Sequence, residues 1–139
     1  MKKLITMMAI VLLPNVAMAE TYDEAFEMNR AMYGKGHTFS WEGKEYSTNH
    51  PEEVEASVEA TKENADALIA KAKLENEAAA KVGFEWKLTK GIIKDAEAAS
   101  AEGDYSKALN LAAQAKYHAR LGVLQQIDAE QNWHLSVPQ

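Results

Sequence analysis

The chain has 139 residues, no Cys, and 21 acidic against 15 basic residues, a formal net charge of −6. A chain this size makes one domain, or a small domain with an arm. The missing Cys excludes disulfide staples, thiol chemistry and covalent c-type haem attachment. The acidic balance speaks against nucleic acid or an anionic membrane surface as partner.

Met1, Lys2 and Lys3 precede an apolar run from Leu4 to Leu13, broken by Pro14-Asn15 and followed by Ala17-Met18-Ala19. That layout predicts a secretory signal peptide over 1–19, cleaved after Ala19, and hence a periplasmic protein. The run is shorter than the roughly 20 apolar residues that span a bilayer, so no membrane span is expected in the mature chain. The leader carries two Lys and no acid, so its removal takes the net charge from −6 to −8 over 120 residues.

Thr21 with Glu24 three positions on is a capping-box pattern. Tyr22, Phe26, Met28 or Arg30, and Tyr33 predict an amphipathic helix of about three turns, ended by Gly34 and Gly36. Residues 37–48 alternate Phe39 and Trp41 with polar side chains, and Tyr46 follows Glu42-Gly43. The pattern predicts a β-hairpin, since Gly supplies the positive φ of a tight turn. A lone hairpin is marginal, so Phe39, Trp41 and Tyr46 either pack on a helix or form a contact surface.

Asn49 as cap, Glu52 three later and Pro51 in the first turn predict a helix start. The stretch to Lys81 then has neither Pro nor Gly. Val54, Val58, Thr61, Ala65, Leu68, Ala72, Glu75, Ala79 and Val82 recur at spacings of four and three, a seam with a 3.5-residue period. This predicts one rod of roughly 45 Å, at 1.5 Å per residue. A second helix is expected over Glu85–Ala101, with Trp86, Ile92 or Ile93, Ala96 and Ala99 on its apolar stripe. Gly103-Asp104 reads as the close of one helix and the cap of the next, which folds the third helix, Tyr105 to about Asn132, back antiparallel. Its small-residue stripe is Tyr105, Ala108, Ala112, Ala115, Ala119 and Gly122, with Leu109, Leu124 and Ile127 expected to widen the buried face. The fold expected is mainly α: an antiparallel bundle of three principal helices over 52–139, containing a helical hairpin over 84–132, with a short helix and small β-hairpin as an arm over 20–51. Gly-Asp-Tyr-Ser-Lys-Ala-Leu is similar to part of a tetratricopeptide unit, but no second repeat accompanies it.

Few residues suggest chemistry. The histidines are His37, His50, His118 and His134. His118 has no second ligand one turn away and reads, with His37, as solvent-facing. His50 reads as a helix-capping residue. His37 and His50 flank the hairpin and are the metal candidates, with Met28 or Met32 imaginable beside them at a copper or haem-iron site. The many carboxylates read as solvated helix faces. No nucleophile elbow or phosphate loop occurs, so no catalytic residue, resident cofactor or enzyme activity is expected. Trp41, Trp86 and Trp133 are either fillers where helix ends meet or, for Trp41 and Trp133, anchors for a partner.

Gly83-Phe84-Glu85-Trp86-Lys87-Leu88-Thr89-Lys90-Gly91-Ile92-Ile93-Lys94-Asp95-Ala96-Glu97, continued by Gly103-Asp104-Tyr105-Ser106-Lys107-Ala108, Leu111-Ala112, Ala115-Lys116 and Leu121-Gly122, resembles the SoxXA-binding proteins, also called SoxK, of sulfur-oxidising bacteria. The resemblance covers roughly 82–127. Its distinctive parts are Gly-Phe-Glu-Trp and Gly-Asp-Tyr. It implies a small exported helical accessory protein that associates with a c-type cytochrome, with Phe84, Trp86 and Tyr105 organising the helical hairpin and its docking edge. The alternatives are a periplasmic metal- or haem-binding protein and a structural or stress protein of the envelope.

Overall fold

The computed structural model describes residues 21–135, so the expected signal peptide over 1–19 and the end of the tail lie outside the described residues. In chain order the elements are α1 (Tyr22–Tyr33), β1 (Thr38–Trp41), β2 (Lys44–Ser47), α2 (Pro51–Ala56), α3 (Lys62–Lys81), α4 (Lys87–Ala101), α5 (Tyr105–Asn132) and a 3-10 turn (Trp133–Leu135). The protein is mainly α, as its sequence predicts.

The arm forms as its local signals dictate. Thr21 Oγ1 accepts from the Glu24 N–H at 3.3 Å while Glu24 Oε2 accepts from the Thr21 N–H at 2.9 Å, a closed capping box. β1 and β2 pair antiparallel with Trp41 opposite Lys44, which leaves Glu42-Gly43 as a two-residue turn. Both turn residues have positive φ, 48° and 77°, the arrangement whose twist matches the strands. Tyr22 gathers the arm's rings: Tyr46, Trp41, Phe26 and Phe39 have centroids 5.0, 5.6, 6.1 and 6.2 Å away. The hairpin therefore packs on a helix, with Phe39 buried and Trp41 and Tyr46 half-buried.

α3, α4 and α5 form an up-down-up bundle along an alanine seam. One end of the core holds Ala65, Leu68, Ala99 and Ala108; the middle holds Ala72, Ile93 and Ala115; the far end brings Ala79 against Gly122. The α3–α5 partners at the three levels stay 43 residues apart, so these two helices run parallel, with α4 antiparallel to both. Alanines fully shielded from solvent let the axes approach closely. At Gly122 the approach is tightest, because an added Cβ would press into the backbone carbonyl oxygen of Phe84.

The two motifs that carry the family resemblance have structural duties here. Gly83, at φ 78°, closes α3, with the Phe84 N–H donating to the Ala79 carbonyl at 3.0 Å and the Gly83 N–H to Ala80 at 3.1 Å. Gly103 closes α4 in the same way, through Asp104 to Ala99 at 2.9 Å and Gly103 to Ser100 at 3.1 Å. Both are Schellman closures. Asp104 then caps α5 by accepting from the Lys107 N–H at 3.1 Å.

Four expectations are corrected. The long rod from Glu52 is two helices. Ser57 ends α2, and its hydroxyl donates to the Glu53 carbonyl at 2.8 Å. Thr61 is extended and caps α3 by accepting from the Asn64 N–H at 3.2 Å, while Asn64 Nδ2 donates to the Glu59 carbonyl at 2.8 Å. These short polar side chains satisfy backbone groups locally and so compete with a continuous helix. Val54 and Val58, expected in the seam, stand 55% and 49% exposed as a result. The cap of α2 is shifted by one: the His50 N–H donates to Glu53 at 2.8 Å, and Asn49 Oδ1 instead accepts from the Gly36 N–H. α4 begins at Lys87, since Trp86 is extended and Glu85 turns away to bond Asn76 and Lys90. On α5, Leu109 is buried, but Leu124, which faces the groove beside the arm, and Ile127, which lies past the end of α3, are exposed.

Candidate docking site

The junction between arm and bundle is built by α2, whose sequence is Pro-Glu-Glu-Val-Glu-Ala. Successive helical residues point about 100° apart, so Glu52, Glu53 and Glu55 face three directions. Each meets a cation on another element. Glu52 takes a two-pronged contact from Arg120 of α5, at 2.6 and 3.2 Å. Glu53 takes one from Arg30 of α1, at 2.7 and 2.9 Å, and Arg30 also donates to the Thr48 carbonyl. Glu55 bridges Lys71 of α3, at 2.9 Å, and Lys116 of α5. The expectation of solvated carboxylates fails here: Glu52 is 2% exposed.

Burial alone would push the Glu53 carboxyl up. The hydrogen bonds from Arg30 and the His50 N–H, with the charge of Arg30, outweigh it and hold Glu53 below the usual range. Hydrogen bonds from Lys116 and Lys71 hold Glu55 down as well. Glu52 holds the Arg120 guanidinium above its usual value, chiefly through its hydrogen bonds.

A ring stack completes the junction. His50 lies on Tyr117 with centroids 4.4 Å apart and planes 25° apart, and Arg120 approaches the same ring at 5.4 Å. Burial, then the charge of Arg30, pushes the His50 imidazole below its usual value. Two open grooves share the stack. One, of about 510 Å³, has Arg30, Lys35, Asn110 and His118 in its wall. The other, of about 530 Å³, is aromatic and apolar, with Tyr22, Phe26, Val54, Leu121 and Leu124 in its wall.

The residues singled out from the sequence do not converge. Trp41 and Tyr46 sit in the arm's ring cluster. Phe84 and Trp86 lie at the far end of the bundle, where Trp86 Nε1 donates to Gln125 Oε1 at 2.8 Å and its ring lies 5.2 Å from that of His118. Tyr105 is at the opposite end, packed on the cluster of Ala65, Leu68 and Ala108. Phe84, Trp86 and Tyr105 thus form no single edge, since α4 separates them. Trp133 is 65% exposed at the tip of α5. His37 stacks on Tyr33 with centroids 4.2 Å apart, and His50 stacks on Tyr117. Among the described residues no group of three His, Asp or Glu side chains is placed to hold a metal. His118 is not solvent-facing: Nδ1 is buried without a partner, and burial pushes its imidazole below the usual value.

Arg30, Glu52, Glu53, Glu55, Tyr117 and Arg120 were not legible as a site. Their only local signal is three carboxylates in one six-residue helix, with Lys116 and Arg120 four apart on α5.

The class defined is a mainly α protein: a three-helix bundle carrying a helix-and-hairpin arm, joined by a charged clip beside an aromatic groove. Comparison with known proteins finds no matching family model, no matching curated protein and no matching solved structure. No helix among the described residues is long and apolar enough to cross a membrane.

Proposed function

We propose that the chain is an exported, non-catalytic accessory protein that works by holding a protein partner, a c-type cytochrome of the SoxXA kind being the partner its sequence resemblance favours. The observation that carries the docking reading is the apolar groove between arm and α5. Aromatic and aliphatic side chains from α1, α2 and α5 line it, Val54 at 55% and Leu124 at 46% exposure. Rings and aliphatics around a groove are the usual core of a protein interface, and the charges of Asp23, Glu27 and Arg120 in its wall give it orientation. The acidic chain suits a partner with a basic face, which speeds encounter more than it tightens the complex.

The test is capture from periplasm of the source cell with the tagged mature protein. A c-type cytochrome should be retained, and Val54→Glu should lose it while leaving the far-ultraviolet circular dichroism unchanged. Capture of no stable partner, or equal capture by Val54→Glu, would overturn the reading.

A further inference from the structure

α5 outruns the bundle. With α3 and α5 in register at a separation of 43 residues, the last residue of α3, Lys81, lies level with Leu124. Residues 125–132 therefore project about 12 Å beyond α3, at 1.5 Å per residue, and the turn Trp133–Leu135 extends them. The buried stripe of α5 does not stop at this edge. Its spacing of four and three continues from Gly122 through Gln126, Ala129 and Trp133. Those three residues, with Val82 and Phe84 at the end of α3, line an open groove of about 480 Å³. The groove is the bundle's own seam, carried on with no helix opposite among the described residues. Around it Trp133 is 65%, Leu135 74% and Val82 39% exposed.

We propose that this groove is occupied by the same groove of a second copy, in a two-fold antiparallel contact centred near Ile127. Charge argues for the second copy. Lys81 and Lys87 are exposed at the bundle end, and neither has an ion-pair partner among the described residues. Glu130 lines the projecting part of the groove and also has none. Within one chain Glu130 lies about 9 Å along the axis from the level of Lys81, six residues at 1.5 Å each. A two-fold centred at Ile127 sets position 130 of one copy against the level of 124 in the other, which is where Lys81 ends α3. The same operation sets Trp133 of each copy at the level of 121 in the other, next to Gly122 and the Phe84 carbonyl packed on it. The contact is isologous, as a two-fold requires. A projection of about two turns buries less than the roughly 800 Å² per partner of a standard interface, so the dimer is expected to be in the micromolar range.

Sedimentation equilibrium of the mature chain from about 1 to about 500 µM reads the association directly. Twice the monomer mass at the upper concentrations is expected, and monomer throughout would overturn the proposal. Trp133→Glu should weaken association by at least about tenfold; since Trp133 is exposed, helicity should not change. Dimerisation indifferent to it would place the contact elsewhere. Lys81→Glu should weaken the dimer, and Lys81→Glu with Glu130→Lys should restore it; failure of the double variant would overturn the antiparallel register. Val54→Glu, which reads cytochrome capture, lies on the other groove and should leave the dimer intact, so the two readings fail separately.

Discussion

The bundle and the arm are held by opposite means. The bundle's seam is Ala65, Ala72, Ala79, Ala96, Ala108, Ala112, Ala115 and Ala119, all at 2% exposure or less. Much of its stability comes from close packing of small side chains, a contribution that salt and pH do not touch. The arm has one buried aromatic, Phe39, one buried alanine, Ala25, and a set of half-exposed rings. It reaches the bundle through α2, and α2 is joined to its neighbours by carboxylates. A packed seam is intolerant of added volume; a charged clip is intolerant of losing one partner. Changes to the two regions should therefore differ in kind as well as size.

The largest effect is expected at the buried end of the clip. Arg120→Ala leaves the Glu52 carboxylate in a site 2% exposed with no cation, at a cost of about 3 kcal/mol. Denaturant titration should report it, and Arg120→Ala with Glu52→Gln should recover a good part, because the double change removes the stranded charge. A double variant as unstable as the single would show that packing of the Arg120 stem, not its charge, holds the site. Next comes the tightest point of the seam. Gly122→Ala drives a methyl into the Phe84 carbonyl and meets Ala79 Cβ at 3.4 Å, for a loss of about 2 kcal/mol. A melting temperature unchanged by it would mean that the α3–α4 connection yields freely.

Thr61→Ala removes the hydroxyl that caps α3 and should cost about 1 kcal/mol. This variant also bears on how the fold is written in the sequence. The ends of α1, the Glu42-Gly43 turn and Gly103-Asp104 were legible because each is decided by residues within four positions. The alanine stripe of α5 was legible for the same reason. Thr61 was not: it falls on the 3.5-residue seam, so its polarity read as a weak point in one helix, when it is the start of another. Thr61 with Asn64, ahead of Ala65 and Leu68, was the available signal. The clip was out of reach because its pairs are distant in the chain. Glu52 and Arg120 are 68 positions apart, Glu55 and Lys116 61, and nothing local distinguishes these acids from those on exposed faces. Glu77, which does sit on an exposed face, has the same neighbours in kind.

The smallest effect is expected with pH, and its sign follows from the direction of each shift. His50 and His118 are held below their ordinary value of 6.5, so the fold favours their neutral forms. Their contribution is complete above pH 6.5 and is lost as pH falls below it through their lowered values. Glu53 and Glu55 are held below 4.5, so their contribution persists to pH 4.5 and is lost below that. Stability should fall in two steps on acidification, and His50→Phe, which keeps a ring on Tyr117, should flatten the first. Stability that rises from pH 7 to pH 5.5 would contradict the assignment.

The most direct measurement is amide hydrogen exchange of residues 20–139 at low and at about 1 M salt, where the screening length shortens to about 3 Å. The hairpin and α1 should exchange faster in high salt, while the centre of α3 and the Ala108–Ala119 stretch of α5 keep their protection, so that the arm opens as a unit of its own. Arm and bundle exchanging together, with the same salt-independent protection, would contradict a junction made by charge.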